Sequence, residues 1–282
     1  MAGLAGALHS GGMLFAAAPL RTFLLLILFA CLPSVAGAQD GVDAAMEAYA
    51  RGDYATARPL LERQADLPPH AAFALGLMRS DGVGGPVDHL GAANSYRRAA
   101  RQGHVQAKTN LGNLYDLGDG VPRDGATAQA LYIDAARGGS TMAMNNLAYL
   151  WGRQGGLLPQ ALCLSARTLE IEPANPYYLD TYGFILLRLQ RAAEAVRYFR
   201  RALALKPDYG DAREHLGDAA SLTGGDGAPD WRQALDYPRD AHQALRLARK
   251  LQGGAIELDL DAHPPFDLRG EGFPADCAMP LV

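Results

Sequence analysis

Residues 71–103 and 107–139 carry one pattern twice, at a constant offset of 36. Leu75-Gly76, Gly82, Gly84, Pro86, Asp88, Ala92, Tyr96, Ala99-Ala100-Arg101 and Gly103 return as Leu111-Gly112, Gly118, Gly120, Pro122, Asp124, Ala128, Tyr132, Ala135-Ala136-Arg137 and Gly139. A period of this length belongs to stacked helical hairpins. A single hairpin is too thin to shield its own apolar face, so neighbours must stack, and the stack leaves a long curved surface suited to holding another molecule. The predicted fold is all-α, an α-solenoid of antiparallel helical hairpins, and about six of them fit the chain length. The apolar share rests on alanine and leucine more than on aromatics, as close helix packing requires.

The same logic orders the rest of the chain. From Val42 to Leu67 an apolar face at Ala45, Ala48 and Tyr49 is broken by Gly52-Asp53 and resumes at Tyr54, Ala57, Leu60 and Leu61, so residues 39–69 read as an opening hairpin stopped by Pro68-Pro69. Residues 70–139 are the two matched units. In each, Leu-Gly lets the second helix approach the first, Gly-x-Gly turns the chain, Pro-x-Asp starts the second helix, and Gly103 or Gly139 ends it. Residues 140–175 form a mixed unit: Asn146-Leu147-Ala148 keeps the earlier phase, while Gly152-Arg153-Gln154-Gly155-Gly156 replaces the turn. Ala161, Leu169, Ile171 and Pro173 then recur 34 residues later as Ala195, Leu203, Leu205 and Pro207, so the period shortens. Residues 176–209 make a full unit of this second type. Residues 210–252 make a degenerate one, with a Gly-rich loop from Thr223 to Asp230, an interruption at Pro238 and a closing helix over 239–251. Residues 253–282, with four prolines and acidic spacing, are expected to be extended or partly disordered.

Leu111-Gly112-Asn113-Leu114-Tyr115, Gly118-Asp119-Gly120-Val121-Pro122-Arg123-Asp124 and Ala135-Ala136 resemble the SEL-like repeat, a 36-residue branch of the tetratricopeptide superfamily. Tyr182-Gly183, Ala195, Tyr198-Phe199, Ala202 and Leu205-Lys206-Pro207 resemble a full tetratricopeptide repeat, and Gly52-Asp53-Tyr54 with Ala57 resembles an opening one. The resemblance spans roughly residues 41–250. It implies a right-handed solenoid, a protein or peptide partner of unknown identity, and a binding groove lined mainly by first helices.

Arg21 is the only charged residue before Asp40; it precedes the apolar run 23–32, and Ala36-Gly37-Ala38 supplies a small-x-small cleavage pattern. Residues 1–38 therefore read as a signal peptide cut after Ala38, of a bacterial type that delivers the chain to the periplasm or beyond. Membrane contact is then expected only through this segment before cleavage. Two alternatives stay open, retention as an uncleaved anchor and lipidation at Cys31, and Met13 competes with Met1 as the start. Cleavage leaves 25 basic and 30 acidic residues, and nothing in that balance invites nucleic acid. Export permits a disulfide. Cys163, in a predicted helix, nonetheless reads as a buried small hydrophobe, and whether it pairs with Cys277 stays open.

Chemistry finds no foothold. His70, His89, His104, His215, His242 and His263 are scattered, with no pair on one helix face, so neither a metal site nor a cofactor is expected. The Gly-x-Gly segments lack the strand and lysine of a phosphate loop, and no nucleophile motif or framed carboxylate pair names a catalytic residue. Some cysteine-rich SEL-like proteins are associated with β-lactam or cell-wall compounds, but this chain lacks their cysteine pair in each repeat. The expected function is a non-catalytic adaptor or regulatory scaffold of the cell envelope. The competing class is a binder or hydrolase of cell-wall fragments or β-lactams that uses the same groove.

Candidate groove residues follow from the Leu-Gly register. Positions three before, one after and four after the glycine give Thr109, Asn113 and Asp116 in one unit and Asp180, Phe184 and Leu187 in another, with Asn145 and Tyr149 between them and Arg188 beside. This mixture of amide, acid, aromatic and arginine suits a peptide backbone or terminus. Asn113 also resembles the asparagine with which some tetratricopeptide domains clamp a C-terminal carboxylate, although the other clamp residues are unmatched.

Overall fold

The computed structural model describes residues 35–254 and 256. The apolar run 23–32, the lipidation alternative at Cys31 and nearly all of the Pro-rich tail lie outside the described residues, whereas Ala36-Gly37-Ala38 falls within the first helix. Thirteen α-helices and no strand are present among them. They are α1 Val35–Ala50, α2 Tyr54–Glu62, α3 Pro69–Asp81, α4 His89–Arg101, α5 Val105–Leu117, α6 Gly125–Arg137, α7 Thr141–Gln154, α8 Leu158–Ile171, α9 Pro176–Arg188, α10 Ala192–Leu205, α11 Gly210–Leu222, α12 Ala228–Ala234 and α13 Ala241–Leu251. Six hairpins, α1/α2 through α11/α12, stack in chain order, first helix beside first helix, and α13 packs on the last of them.

One device closes most hairpins. A glycine in the first helix receives the ring of an aromatic residue in the second: Gly76 meets Tyr96, Gly112 meets Tyr132, Gly183 meets Phe199 and Gly217 meets Trp231. A Cβ on Gly112 would stand 2.6 Å from Cε1 of Tyr132, whose side chain is buried. Alanine at an open helical position is favoured over glycine by up to about 1 kcal/mol. Here overpacking reverses the sign, and Gly112→Ala is expected to cost about 1–3 kcal/mol in urea unfolding. Equal or higher stability would disprove this close-contact account.

The turns follow local chemistry. Gly82, Gly84, Gly118 and Gly120 all have φ between 69° and 82°, a region closed to most side chains. The second glycine of each turn also lies against the start of the preceding unit's second helix, Gly84 on Tyr54 and Gly120 on His89 and Leu90. Asp88 and Asp124 cap α4 and α6, accepting from Gly91 N (2.8 Å) and from Ala126 N and Thr127 N (3.0 and 3.1 Å). His104 caps α5, its Nδ1 accepting from Ala107 N at 3.2 Å, and burial lowers its pKa, which keeps that nitrogen an acceptor.

Two expectations are corrected. Helix α12 begins at Ala228, inside the stretch read as loop, because Pro229 in its first turn favours helix initiation. Cys163 is half-buried and disulfide-bonded; α8 turns Ala161, Leu164, Ser165 and Thr168 inward and leaves Cys163 on its flank.

At the far end, α13 covers α11 through a polar seam. Asp211, Glu214 and Asp218 on α11 face Gln243, Arg246 and Lys250 on α13, each row at intervals that place its members on one helix face.

Candidate functional site

A concave cavity of about 510 Å³ opens along the first helices. It crosses them diagonally: Asn113, Asp116 and Leu117 from the last turns of α5, Met142, Asn145, Asn146 and Tyr149 from α7, Tyr177, Tyr178, Asp180 and Thr181 from the first half of α9, and Asp211 from the first turn of α11. Asn175 and Tyr209, the residues capping α9 and α11, add to the wall, as do Tyr132 of α6 and Arg239 ahead of α13. The volume lies within the range of ligand-binding clefts.

The diagonal sorts the predicted groove residues. Asn113, Asp116, Asn145, Tyr149 and Asp180 line the cavity. Thr109, Phe184, Leu187 and Arg188 do not, because they stand in the first half of α5 and the second half of α9, off its path. Thr109 is buried at the junction with the next unit, its hydroxyl 3.1 Å from that of Ser140. Phe184 is fully buried between Tyr149 and His215, with ring centroids 5.1 and 5.0 Å away, and Leu187 belongs to the next core cluster. Arg188 donates to the carbonyls of Gly152 (2.6 Å) and Arg153 (3.0 Å), satisfying the C-terminal end of α7.

Three wall residues missed by the register rule, Met142, Tyr177 and Asp211, share a position six before the Leu-Gly glycine or its equivalent, one further helical turn toward the N-terminus. Extending the rule by that turn finds them. Tyr132, Tyr209 and Arg239 lie outside the first helices and have no such signal.

The floor is a set of satisfied charges. Asp180 accepts from His215 Nδ1 at 2.8 Å and from the Tyr209 hydroxyl at 3.1 Å. Burial alone would push the His215 pKa down, but the charge and hydrogen bond of Asp180, with Glu214 and Asp211 nearby, raise it to about 9. Burial, followed by the charge of Asp180, pushes the Tyr209 phenol well up, so it stays a donor. Asp116 is paired with Arg153. Asp211 accepts from Arg239 (3.2 Å) and Gln243 (2.9 Å), and burial nevertheless raises its pKa.

A folded pKa held above the unfolded value stabilises fully below the unfolded value, and the benefit disappears as pH rises through the folded one. Wild-type protein should therefore lose stability from near neutrality up through about pH 9, by at most roughly 3 kcal/mol. His215→Gln should lack that component. Identical alkaline slopes in thermal melts of the two proteins would refute the assignment.

No group of three His, Cys, Asp or Glu side chains arranged to hold a metal occurs among the described residues, and no described helix is long and apolar enough to cross a membrane.

Comparison with known proteins identifies the central repeats and the fold. Residues 69–104, 105–140 and 141–161 match the Sel1 repeat, the last match stopping inside α8, where the phase changes. No curated protein sequence matches the chain significantly. Among solved structures, a Sel1 repeat protein from Oxalobacter formigenes aligns with a TM-score of 0.56 and 20% identity, over 76% of this chain and 87% of that one. A tetratricopeptide repeat protein from Parabacteroides merdae ATCC 43184 also reaches a TM-score of 0.56, with 16% identity over 76% of this chain and 85% of its own. Residues 69–161 thus carry Sel1 repeats, and the chain as a whole has the α-helical repeat fold of Sel1 and tetratricopeptide repeat structures.

Proposed function

We propose that the protein is a non-catalytic adaptor or regulatory scaffold of the bacterial cell envelope that holds a polypeptide in the diagonal cavity. Sel1 and tetratricopeptide folds generally mediate protein–protein interaction and are typically non-catalytic scaffolds. The observation that carries the reading is the cavity itself: a polar floor built by four successive first helices, under an apolar rim of Leu117, Met142 and Tyr177 that are 61%, 52% and 48% exposed. Exposed apolar groups beside ordered polar ones are the composition of a contact surface. Export rests on the apolar run and the Ala36-Gly37-Ala38 pattern, and mature protein from a periplasmic fraction should begin at Gln39. An unprocessed mass in the cytoplasmic fraction would remove the envelope role.

The groove is tested with mature chain as bait against an envelope extract. Met142→Ala with Tyr177→Ala should capture its polypeptide at least about tenfold less well with little change in melting temperature, since about half of each side chain is exposed. Equal capture by the double variant would place the binding surface elsewhere. Retention of peptidoglycan fragments or β-lactams, with no polypeptide captured, would favour the cell-wall class.

A further inference from the structure

On the reading that the cavity holds a polypeptide, we infer that it takes an uncharged internal stretch of extended chain and discriminates against a terminal carboxylate or ammonium group. Every acid in the wall already has its partners. Asp116 is held by Arg153, Asp180 by His215 and Tyr209, and Asp211 by Arg239 and Gln243. The one arginine in the wall, Arg239, stands between Asp211 (3.2 Å) and Asp240 (3.0 Å). A charged terminus entering this space would shed water and meet no unmatched counter-charge, which is costly in a partly enclosed site.

What the floor offers instead is amide chemistry. Asn145 lines the cavity at 7% exposure, and its Oδ1 is buried without a hydrogen-bond partner. Such an acceptor costs about 1–3 kcal/mol until a donor reaches it. Asn113 supplies the complementary half. Its Oδ1 accepts from the Tyr132 hydroxyl at 2.8 Å and from Asn146 Nδ2 at 2.7 Å, so the amide orientation is set and Nδ2 is the remaining donor. Once the Asn145 amide turns its covered Oδ1 toward the cavity, an acceptor and a donor on adjacent first helices match the N–H and C=O of a peptide main chain. In an extended chain successive side chains alternate in direction, so main-chain groups can face Asn145 and Asn113 while alternate side chains rest on Leu117, Met142 and Tyr177. This arrangement departs from the carboxylate clamp that Asn113 alone resembles, because no cation is disposed to receive a terminus.

The test is a peptide array of degenerate sequences in two formats, one acetylated and tethered through the C-terminus so that no terminus is free, the other inverted to present a free carboxylate. Labelled mature protein should bind blocked peptides carrying alternate apolar residues. Freeing the carboxylate should bring no gain, and Asp or Lys at the apolar positions should lower the signal about tenfold. Asn145→Leu should also lose about tenfold. Met142→Glu, at a largely exposed position that leaves folding intact, should lose a comparable amount. Preference for free termini, wild-type binding by both variants, or a blank array overturns the inference; the polypeptide reading survives these outcomes if the extract capture still depends on Met142 and Tyr177. Binding of N-acetylglucosamine oligosaccharides in place of any peptide removes that reading as well.

Discussion

Lys250→Met is expected to destabilise the C-terminal end of the solenoid by about 3–5 kcal/mol. The ammonium of Lys250 is buried, 2.8 Å from Glu214 Oε1 and 2.7 and 2.8 Å from the two oxygens of Asp218. Glu214 keeps Arg246, which binds it through two nitrogens at 2.7 and 3.0 Å. Asp218 would keep the indole N–H of Trp231, at 2.9 Å, and lose its cation. A buried carboxylate stripped of its cation costs far more than the pair ever contributed, because desolvation remains after the attraction is gone. Apolar contact cannot compensate, since the local core contains little beyond Trp231, Ala234 and Leu247. Urea unfolding followed by Trp231 fluorescence in a Trp151→Phe background should show the loss. Adding Asp218→Asn should recover part of it, because a neutral amide no longer needs a cation. A loss below about 1 kcal/mol would mean that water already screens the seam.

The same seam has an acid limit. Burial would raise the Glu214 pKa, but Arg246 and Lys250 overcome it and depress the value to about 2. A depressed carboxylate pKa stabilises above the unfolded value near 4.5, and the benefit fades as pH falls through the folded one. The α11/α13 junction should therefore weaken between those limits.

Phe184→Ala is the second large effect, also expected at about 3–5 kcal/mol. The ring is fully buried, wedged between Tyr149 and His215 and close to the position a Cβ on Gly152 would occupy. Truncation leaves a void at the junction of α7, α9 and α11, where first helices of three units meet. A repeat array is held together by its nearest-neighbour interfaces, so the damage should also split or broaden the unfolding transition. Phe184→Leu should restore most of the stability. If Phe184→Ala melted like wild type and only partner capture fell, the ring would be a groove anchor after all. The diagonal course of the cavity argues for the core assignment.

That contrast shows how far the sequence could be read. The hairpins were legible because their determinants are local. Glycines at φ +69° to +82° fix the turns, Asp88 and Asp124 cap helices within three residues, and the Leu-Gly spacing repeats with each unit. The cavity was half legible. Asn113 and Tyr149 occupy equivalent places after the glycine or its alanine counterpart and line the cavity, while Phe184, at the same place in the next unit, is core. A linear register assumes that every first helix shows the same face to the groove. The stack does not, and the cavity moves from the C-terminal half of α5 to the N-terminal turn of α11.

The chain by itself determined the α-helical class, the change of period after residue 140 and the small-residue contacts, because periodicity and backbone conformation act over a few residues. Tertiary structure alone decided that Asp180 would find His215 thirty-five residues away, that Lys250 would be buried between two carboxylates, and which side of each first helix would face the cavity. Those outcomes depend on the angle each hairpin adopts on its neighbour. That angle is a sum over many weak packing contacts, and no short stretch of sequence contains it.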